Sequence, residues 1–197
     1  IAQVLALLGV CPEWEPISGR VTGFKVIPYT ALGRPRVDVT LRISGFFRDA
    51  FPYQVELIDR AIQRVAGLDE PEEFNPMAAL AAAEKVKLLS NGANIETASR
   101  RSTIRVFGSK PGAYGAGLQT LIDEGIWDTK EDFAMAYLKW GSFAYGSKLE
   151  GNTEEELFRS ALSKVQVVLH NQDNREHDIL DSDDYYQFHG GATAAVR

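Results

Sequence analysis

Apolar positions along the chain change their period several times, and each change marks an element. Ile1–Gly9 is an apolar, helix-compatible run closed by Gly9 and then Pro12, and residues 13–19 read as a loop. Val21–Pro28 reads as a strand with Gly23 as its weak point. The clearest strand follows, where Val37, Val39, Leu41 and Ile43 alternate with Asp38, Thr40, Arg42 and Ser44 until Ser44-Gly45 breaks the pattern. From Pro52 to Ala66 the period becomes helical: Val55, Ile58, Ala61, Ile62 and Val65 recur at steps of three and four, and Gly67 closes the run. Strand, short loop and helix together open a βαβ unit.

Asn75 as a cap and Pro76 at the first helical position start an alanine-rich helix that ends at Ser90-Asn91-Gly92. A basic connection with Arg100 and Arg101 reaches a short strand, Thr103–Phe107, and the glycine-rich string GSKPGAYGAGLQTLI then opens into a helix. A further helix spans Lys130–Trp140, capped by Thr129 or Asp128, and leads to the aromatic turn WGSFAY. The last clear helix starts at Thr153 with a Thr153–Glu156 capping box. Its stripe of Leu157, Phe158, Ala161, Leu162, Val165, Val168 and Leu169 runs into His170. These signals predict an α/β class: a short, mostly parallel sheet with several flanking helices, folded as one body. Residues 1–31 are expected to supply an entry helix and strand, 32–125 a βα core with the glycine-rich loop, and 126–197 a helical part.

Composition narrows the function. At 197 residues and 45% hydrophobic the chain has enough apolar surface for one core. A single cysteine, Cys11, excludes a disulfide framework and fits a reducing cytosol, so a cytoplasmic location is expected. The apolar run around Val4–Leu8 is too short to span a bilayer, and there is no basic region of the kind that opens a signal peptide. A net charge of −6 without a basic stripe disfavours nucleic acid. The chain begins at Ile1 and stops at Arg197 inside a helix-like run, so both ends read as cut points in a larger multidomain polypeptide.

Candidate chemistry falls in three stretches. Leu169–Gly191 holds all three histidines, His170, His177 and His189, with six acids (Asp173, Glu176, Asp178, Asp181, Asp183, Asp184) against one base, Arg175, and so carries −5 of the −6. Imidazole and carboxylate hold borderline divalent metals and move protons near neutral pH. On residue chemistry alone, a solvated acidic surface explains the segment equally well. His189, before Gly190-Gly191, reads as a turn histidine, and on residue chemistry Asp181, Asp183 and Asp184 read as supporting or capping residues. In Leu32–Pro52 the arginines Arg34, Arg36, Arg42 and Arg48 cluster near the strand end, where open α/β sheets bind ligands. Their planar forks match carboxylates, although solvated or ion-paired arginines and core phenylalanines fit the same string. Val106–Ile122 offers backbone N–H groups at a helix start, with Lys110 adding charge, or else a tight connection that needs glycine for geometry alone. It carries neither GxxxxGK[ST] nor GxGxxG, so no nucleotide site is expected.

The strings NQDNREHDILDSDDYYQF, LGRPRVDVTLRISGFFRDAFP and VFGSKPGAYGAGLQTLI resemble the large-subunit family of aerobic cobaltochelatase (CobN) and magnesium chelatase. The resemblance implies a fragment of the subunit that inserts Co²⁺ into hydrogenobyrinic acid a,c-diamide in cobalamin biosynthesis. ATP and Mg²⁺ would be used by partners, an AAA+ ATPase and a subunit with a metal-adhesion domain, and not bound here. Under this resemblance His170, Asp173, His177 and Asp181 hold the metal, and His177 and Glu176 are catalytic. Arg36, Arg42, Arg48, Phe46, Lys110 and Tyr114 meet the tetrapyrrole. The alternatives are a magnesium chelatase-type subunit acting on protoporphyrin IX, or a non-catalytic module that docks the ATPase. The fragment alone is expected to be inactive.

Overall fold

A computed structural model describes residues 1–171, 182 and 185–196. In chain order the first half runs α1 (Ala2–Leu7), β1 (Val10–Trp14), β2 (Val21–Val26), α2 (Tyr29–Leu32), β3 (Leu41–Arg42), α3 (Gly45–Ala50), α4 (Pro52–Ala66), α5 (Pro76–Ser90) and α6 (Ile95–Arg101). The second half runs β4 (Val106–Gly108), α7 (Gln119–Glu124), α8 (Lys130–Gly141), β5 (Phe143–Gly146), β6 (Leu149–Thr153), α9 (Glu155–Leu162), a π-helix (Tyr185–Gly190) and α10 (Gly191–Ala195). The α/β class holds. β1 and β2 pair antiparallel from Val10↔Val26 to Trp14↔Val21, and a four-stranded sheet has the order β3-β4-β5-β6. Where the sequence suggests mostly parallel pairing, β4 and β5 also run antiparallel, with Phe107 opposite Ala144. The sequence reads as one body, but the chain divides into two compact units. One comprises residues 1–41, 51–106 and 145–148, the other residues 42–50, 107–144 and 149–197.

The helices obey their caps. In the first unit Asn75 accepts from the Ala78 amide at 3.1 Å, with Pro76 in the first turn, so α5 starts where the sequence places it. α4 buries Val55, Leu57, Ile58, Ala61, Ile62 and Val65, and packs on β2, α5 and α1. The predicted strand at 37–43 shrinks to β3. The Arg36 amide donates to Phe74 O and the Val37 amide to Leu7 O, and the ladder is joined only from Leu41, which donates to Arg105 O, and Ile43, which donates to Phe107 O. Alternation therefore begins well before the ladder does, because the donors of the early residues go elsewhere. The basic connection with Arg100 and Arg101 is helical, as α6, because Asn94 caps it through the Thr97 amide at 2.8 Å.

Arg36 is the anchor of this unit. It is 1% exposed, and its five N–H groups go to Glu70 (2.7 and 2.8 Å) and to the carbonyls of Leu8, Gly9 and Ile27 (3.0, 2.8 and 2.7 Å). This corrects the expectation that Arg36 faces a ligand, since no N–H remains for one. Asp59 makes a second buried pair, accepting from Arg100, Gln63 and the Ser147 amide, each at 2.8 Å. Burial raises its pKa against the opposing pull of Arg100. At Gly146, with φ +141°, a Cβ would lie 2.4 Å from Asp59 Cγ.

In the second unit Phe158 packs on Phe107 (4.6 Å between centroids) and Tyr137 (6.0 Å), with Leu118, Leu138, Leu157 and Leu162 buried around them. α8 starts at a capping box in which Asp132 accepts from the Thr129 and Asp128 amides, so Thr129 is the cap. α10 packs against α8, and a Cβ on Gly191 would sit 2.4 Å from the Tyr137 ring. The WGSFAY turn contributes β5. α9 is shorter than its apolar stripe suggests: Glu154, not Thr153, precedes it, and it stops at Leu162 with Val167 70% and Leu169 78% exposed. The stripe does not carry a helix into His170.

Breaking the buried Arg36–Glu70 pair generates the first prediction. Arg36→Ala leaves the Glu70 carboxylate without its counter-charge and takes the guanidinium from three carbonyls, of which Gly9 O keeps the Ile27 amide, so unfolding by urea should show a loss of about 3–5 kcal/mol. Arg36 holds the Glu70 pKa below 4.5. The pair's contribution should therefore be full above the ordinary glutamate range, fading only as pH falls below it through the lowered value.

Candidate functional site

The second unit gathers most of the chemistry around Ser109–Leu118, the glycine-rich loop. Ser44 accepts from the Phe47 amide at 3.1 Å and starts α3, which turns Arg48 inward to 7% exposure. Arg48 Nη1 meets Ser109 O (3.1 Å), Ser109 Oγ (3.2 Å), Lys110 O (3.0 Å) and Ala113 O (3.1 Å). Its Nε and Nη2 donate to Asp49 at 2.6 and 2.8 Å. Asp49 in turn accepts from the Tyr114 hydroxyl at 2.7 Å, and Arg48 lies 5.5 Å from the centre of that ring. Hydrogen bonds from Arg48 and then Tyr114 draw the Asp49 pKa down to about 2, while Asp49 raises that of the Tyr114 phenol.

Arg42 fixes the far end of the same loop. It donates to Ile43 O and, at 3.0 Å, to Gly115 O, and it lies 5.4 Å from the Phe188 ring centre and 5.9 Å from that of Tyr137. Burial pushes the Tyr137 phenol up to about 12. Trp140 Nε1 takes Tyr114 O at 3.1 Å, and Gly117, with φ +84°, passes so close that a Cβ would lie 2.5 Å from Trp140 Cβ. Gln187, buried on the π-helix, donates to Gln119 and accepts from the Ala116 amide at 3.5 Å.

The loop is thus organised through its carbonyls, gripped by two guanidiniums and an indole. That polarity is opposite to the N–H cradle for an anion that the sequence suggested, and α7 beyond it has only six residues. Arg42 and Arg48 serve the loop; Phe46 (68% exposed), Tyr114 (58%) and Lys110 form its outward surface. The sequence reading missed Asp49, Trp140, Tyr137 and Gln187. Asp49 and Gln187 lie inside strings already singled out, and an acid directly after Arg48 was the available signal.

On the same unit the π-helix brings three rings together. His170 lies 4.8 Å from Tyr185 and 6.2 Å from His189, and Tyr185 lies 5.8 Å from His189. The two imidazoles meet edge-on at an interplanar angle of 65°. Nδ1 of His189 is buried with no hydrogen-bond partner among the described residues, a state that costs about 1–3 kcal/mol unless something pairs it. His189, read from sequence as a turn residue, therefore joins His170. Asp173, Glu176, His177 and Asp181 lie outside the described residues. Among the described residues, no group of three or more His, Cys, Asp or Glu side chains is arranged to hold a metal, and no helix is long and apolar enough to cross a membrane.

A family model described as CobN/Magnesium Chelatase matches residues 1–197, and the chain belongs to that family. The aerobic cobaltochelatase subunit CobN of Sinorhizobium sp is 57% identical over 196 residues, covering 100% of this chain and 15% of that protein. A magnesium-chelatase subunit of Rhodobacter capsulatus is 34% identical over 198 residues, again 100% of this chain and 16% of the relative. The solved catalytic subunit of cobaltochelatase from Mycobacterium tuberculosis matches with a TM-score of 0.89 at 49% identity, over 99% of this chain and 16% of that one. The chain thus spans about 15% of the length of the curated cobaltochelatase subunit it matches.

The Asp49–Tyr114 contact gives a second prediction. Removing the carboxylate in Asp49→Asn takes away what raises Tyr114, so its phenol should titrate at lower pH than in the parent. Tyrosinate absorbance, with Tyr114→Phe to assign the signal, reads the shift; an unmoved titration would mean that the contact does not persist in solution.

Proposed function

We propose that this chain is part of the ring- and metal-handling subunit of an ATP-dependent cobaltochelatase, which inserts Co²⁺ into hydrogenobyrinic acid a,c-diamide in cobalamin biosynthesis in the cytoplasm. The observation that carries the reading is a gap in identity across the same span. Cobaltochelatase subunits are 57% and 55% identical to this chain, and magnesium-chelatase subunits 32–34%. An AAA+ ATPase and a subunit with a metal-adhesion domain are the partners, and they use ATP and Mg²⁺ away from this chain.

Insertion forms metal–nitrogen bonds as inner-ring N–H bonds break, releasing one proton from a monobasic corrin or two from a dibasic porphyrin for each ion inserted. Neutral imidazole and carboxylate suit both demands, ligation of the incoming ion and acceptance of the protons. His170, Asp173, His177 and Asp181 are the proposed holders of the Co²⁺ substrate, with Glu176 and His177 receiving protons. Phe46 and Tyr114 offer exposed aromatic faces to a flat macrocycle, and Lys110 a charge to its carboxylates. Arg42 and Arg48 position that surface by holding the loop beneath it. The full-span match to magnesium-chelatase subunits supports a second reading, insertion of Mg²⁺ into protoporphyrin IX.

The deciding experiment assembles the full-length subunit with its partners and offers each ring with each metal. Cobalt insertion into the corrin precursor is expected; magnesium insertion into the porphyrin instead would overturn the assignment. His177→Ala should lower cobalt insertion at least tenfold while co-purification with the ATPase persists. Activity equal to the parent would leave His177 outside the metal's path. Arg48→Ala, which frees four loop acceptors, should raise the KM for the ring more than it lowers kcat, as a positioning role requires.

A further inference from the structure

We infer that His189, with His170, forms a two-imidazole holding site for the divalent cargo ion, one that selects a borderline transition metal such as Co²⁺ over Mg²⁺. The inference rests on the chelatase reading above and adds to it a ligand, His189, and a source of metal selectivity.

Three observations converge on it. The first is the orphan: Nδ1 of His189 is buried and no described residue pairs it, although Tyr185 and His170 close around its ring. A ring nitrogen shut away from water is a donor atom awaiting a partner. The second is distance. With metal–nitrogen bonds near 2 Å, two imidazoles on one ion stand roughly 4.5–6.5 Å apart between centroids, depending on the angle at the metal. The separation of His170 and His189 is 6.2 Å, at the upper end of that range, where the two nitrogens stand nearly opposite each other across the ion. The third is the platform. His189 sits on a π-helix, an arrangement frequent at functional sites, and His170 arrives from outside any helix, so the two approach from separate segments. The His189 carbonyl is held by Thr193 Oγ1 at 2.8 Å, and Gln187, two residues earlier, is pinned to Gln119. The helix is therefore braced on both sides of the histidine.

The donor set decides the metal. Imidazole nitrogen suits Co²⁺, Ni²⁺ and Zn²⁺, whereas Mg²⁺ takes oxygen ligands and gives up its water reluctantly. His170 and His189 thus contribute two nitrogens that favour cobalt, and water at a remaining position can give way to the ring nitrogens that finally take the ion.

The test uses the full-length subunit without metal or ring, titrated with cobalt chloride and, separately, magnesium chloride. Binding is followed by the visible d–d absorption of Co²⁺ and by the shift in melting temperature on metal addition. The parent should bind Co²⁺ and not Mg²⁺ at the same concentrations. His170→Ala and His189→Ala should each weaken Co²⁺ at least about tenfold. His189→Phe keeps the ring packing and removes the orphan nitrogen; its metal-free melting temperature should match or exceed the parent's while its Co²⁺ response is lost. A parent that binds no Co²⁺, or a His189→Phe variant that binds it like the parent, overturns the inference. Cobalt insertion by the parent complex is measured in parallel. Insertion intact with binding unaffected by His189→Phe removes this site alone, whereas absent insertion removes the chelatase reading itself.

Discussion

A guanidinium taken out of water has to be surrounded by oxygen, and both units of this chain are arranged around meeting that demand. In the first unit Arg36 gathers the end of α1, the residue after β2 and Glu70 from the segment between α4 and α5. In the second, Arg48 draws in Ser109, Lys110 and Ala113 and leans on Asp49. Segments far apart in sequence are thereby tied at points where no strand ladder or helix could tie them. The irregular backbone gains acceptor-to-donor closure, and the arginine gains enough partners to remain charged while buried.

That arrangement gives the glycine-rich loop its character. Its carbonyls turn inward to Arg42, Arg48 and Trp140, so its outer surface is left to side chains, chiefly Tyr114 and Lys110, with Phe46 from the neighbouring helix. Gly45 is required for contact, and Gly117 for contact as well as for its φ of +84°. At each, a Cβ would press within 3 Å of an aromatic side chain, Tyr114 or Trp140. A surface fixed in this way is suited to meeting a rigid planar partner without first having to order itself.

Helices were legible in the sequence because their signals are local. Asn75-Pro76, the 3.6-residue stripe from Val55 to Val65 and the Thr129–Asp132 pair each sit within one or two turns of the boundary they set. Strands were less so: β1 contains Pro12, and the alternation at 37–43 is shared by residues whose amides bond to α1 and Phe74. The arginines of the candidate site could be found but not oriented. Apart from Ile27 and Asp49, the acceptors that turn Arg36 and Arg48 inward lie 27 to 65 residues away, a distance no local pattern encodes. His189 looked like a turn residue because two glycines follow it. Gly191 is glycine for another reason, the tight seat of α10 against Tyr137, and that contact is visible only in three dimensions.

The π-helix at Tyr185–Gly190 closes each hydrogen bond over one residue more than the α-helix that continues it as α10. Loss of a single residue from this segment would let it relax into regular α-helix. Since each α-helical residue turns the chain by about 100°, everything before the lost position would swing around the axis. Gln187 and His189 could no longer both keep their present bearings relative to the loop and to His170. Descendants of this sequence can therefore exchange side chains here one at a time, but a change in length acts as a single step that dissolves the three-ring cluster at once.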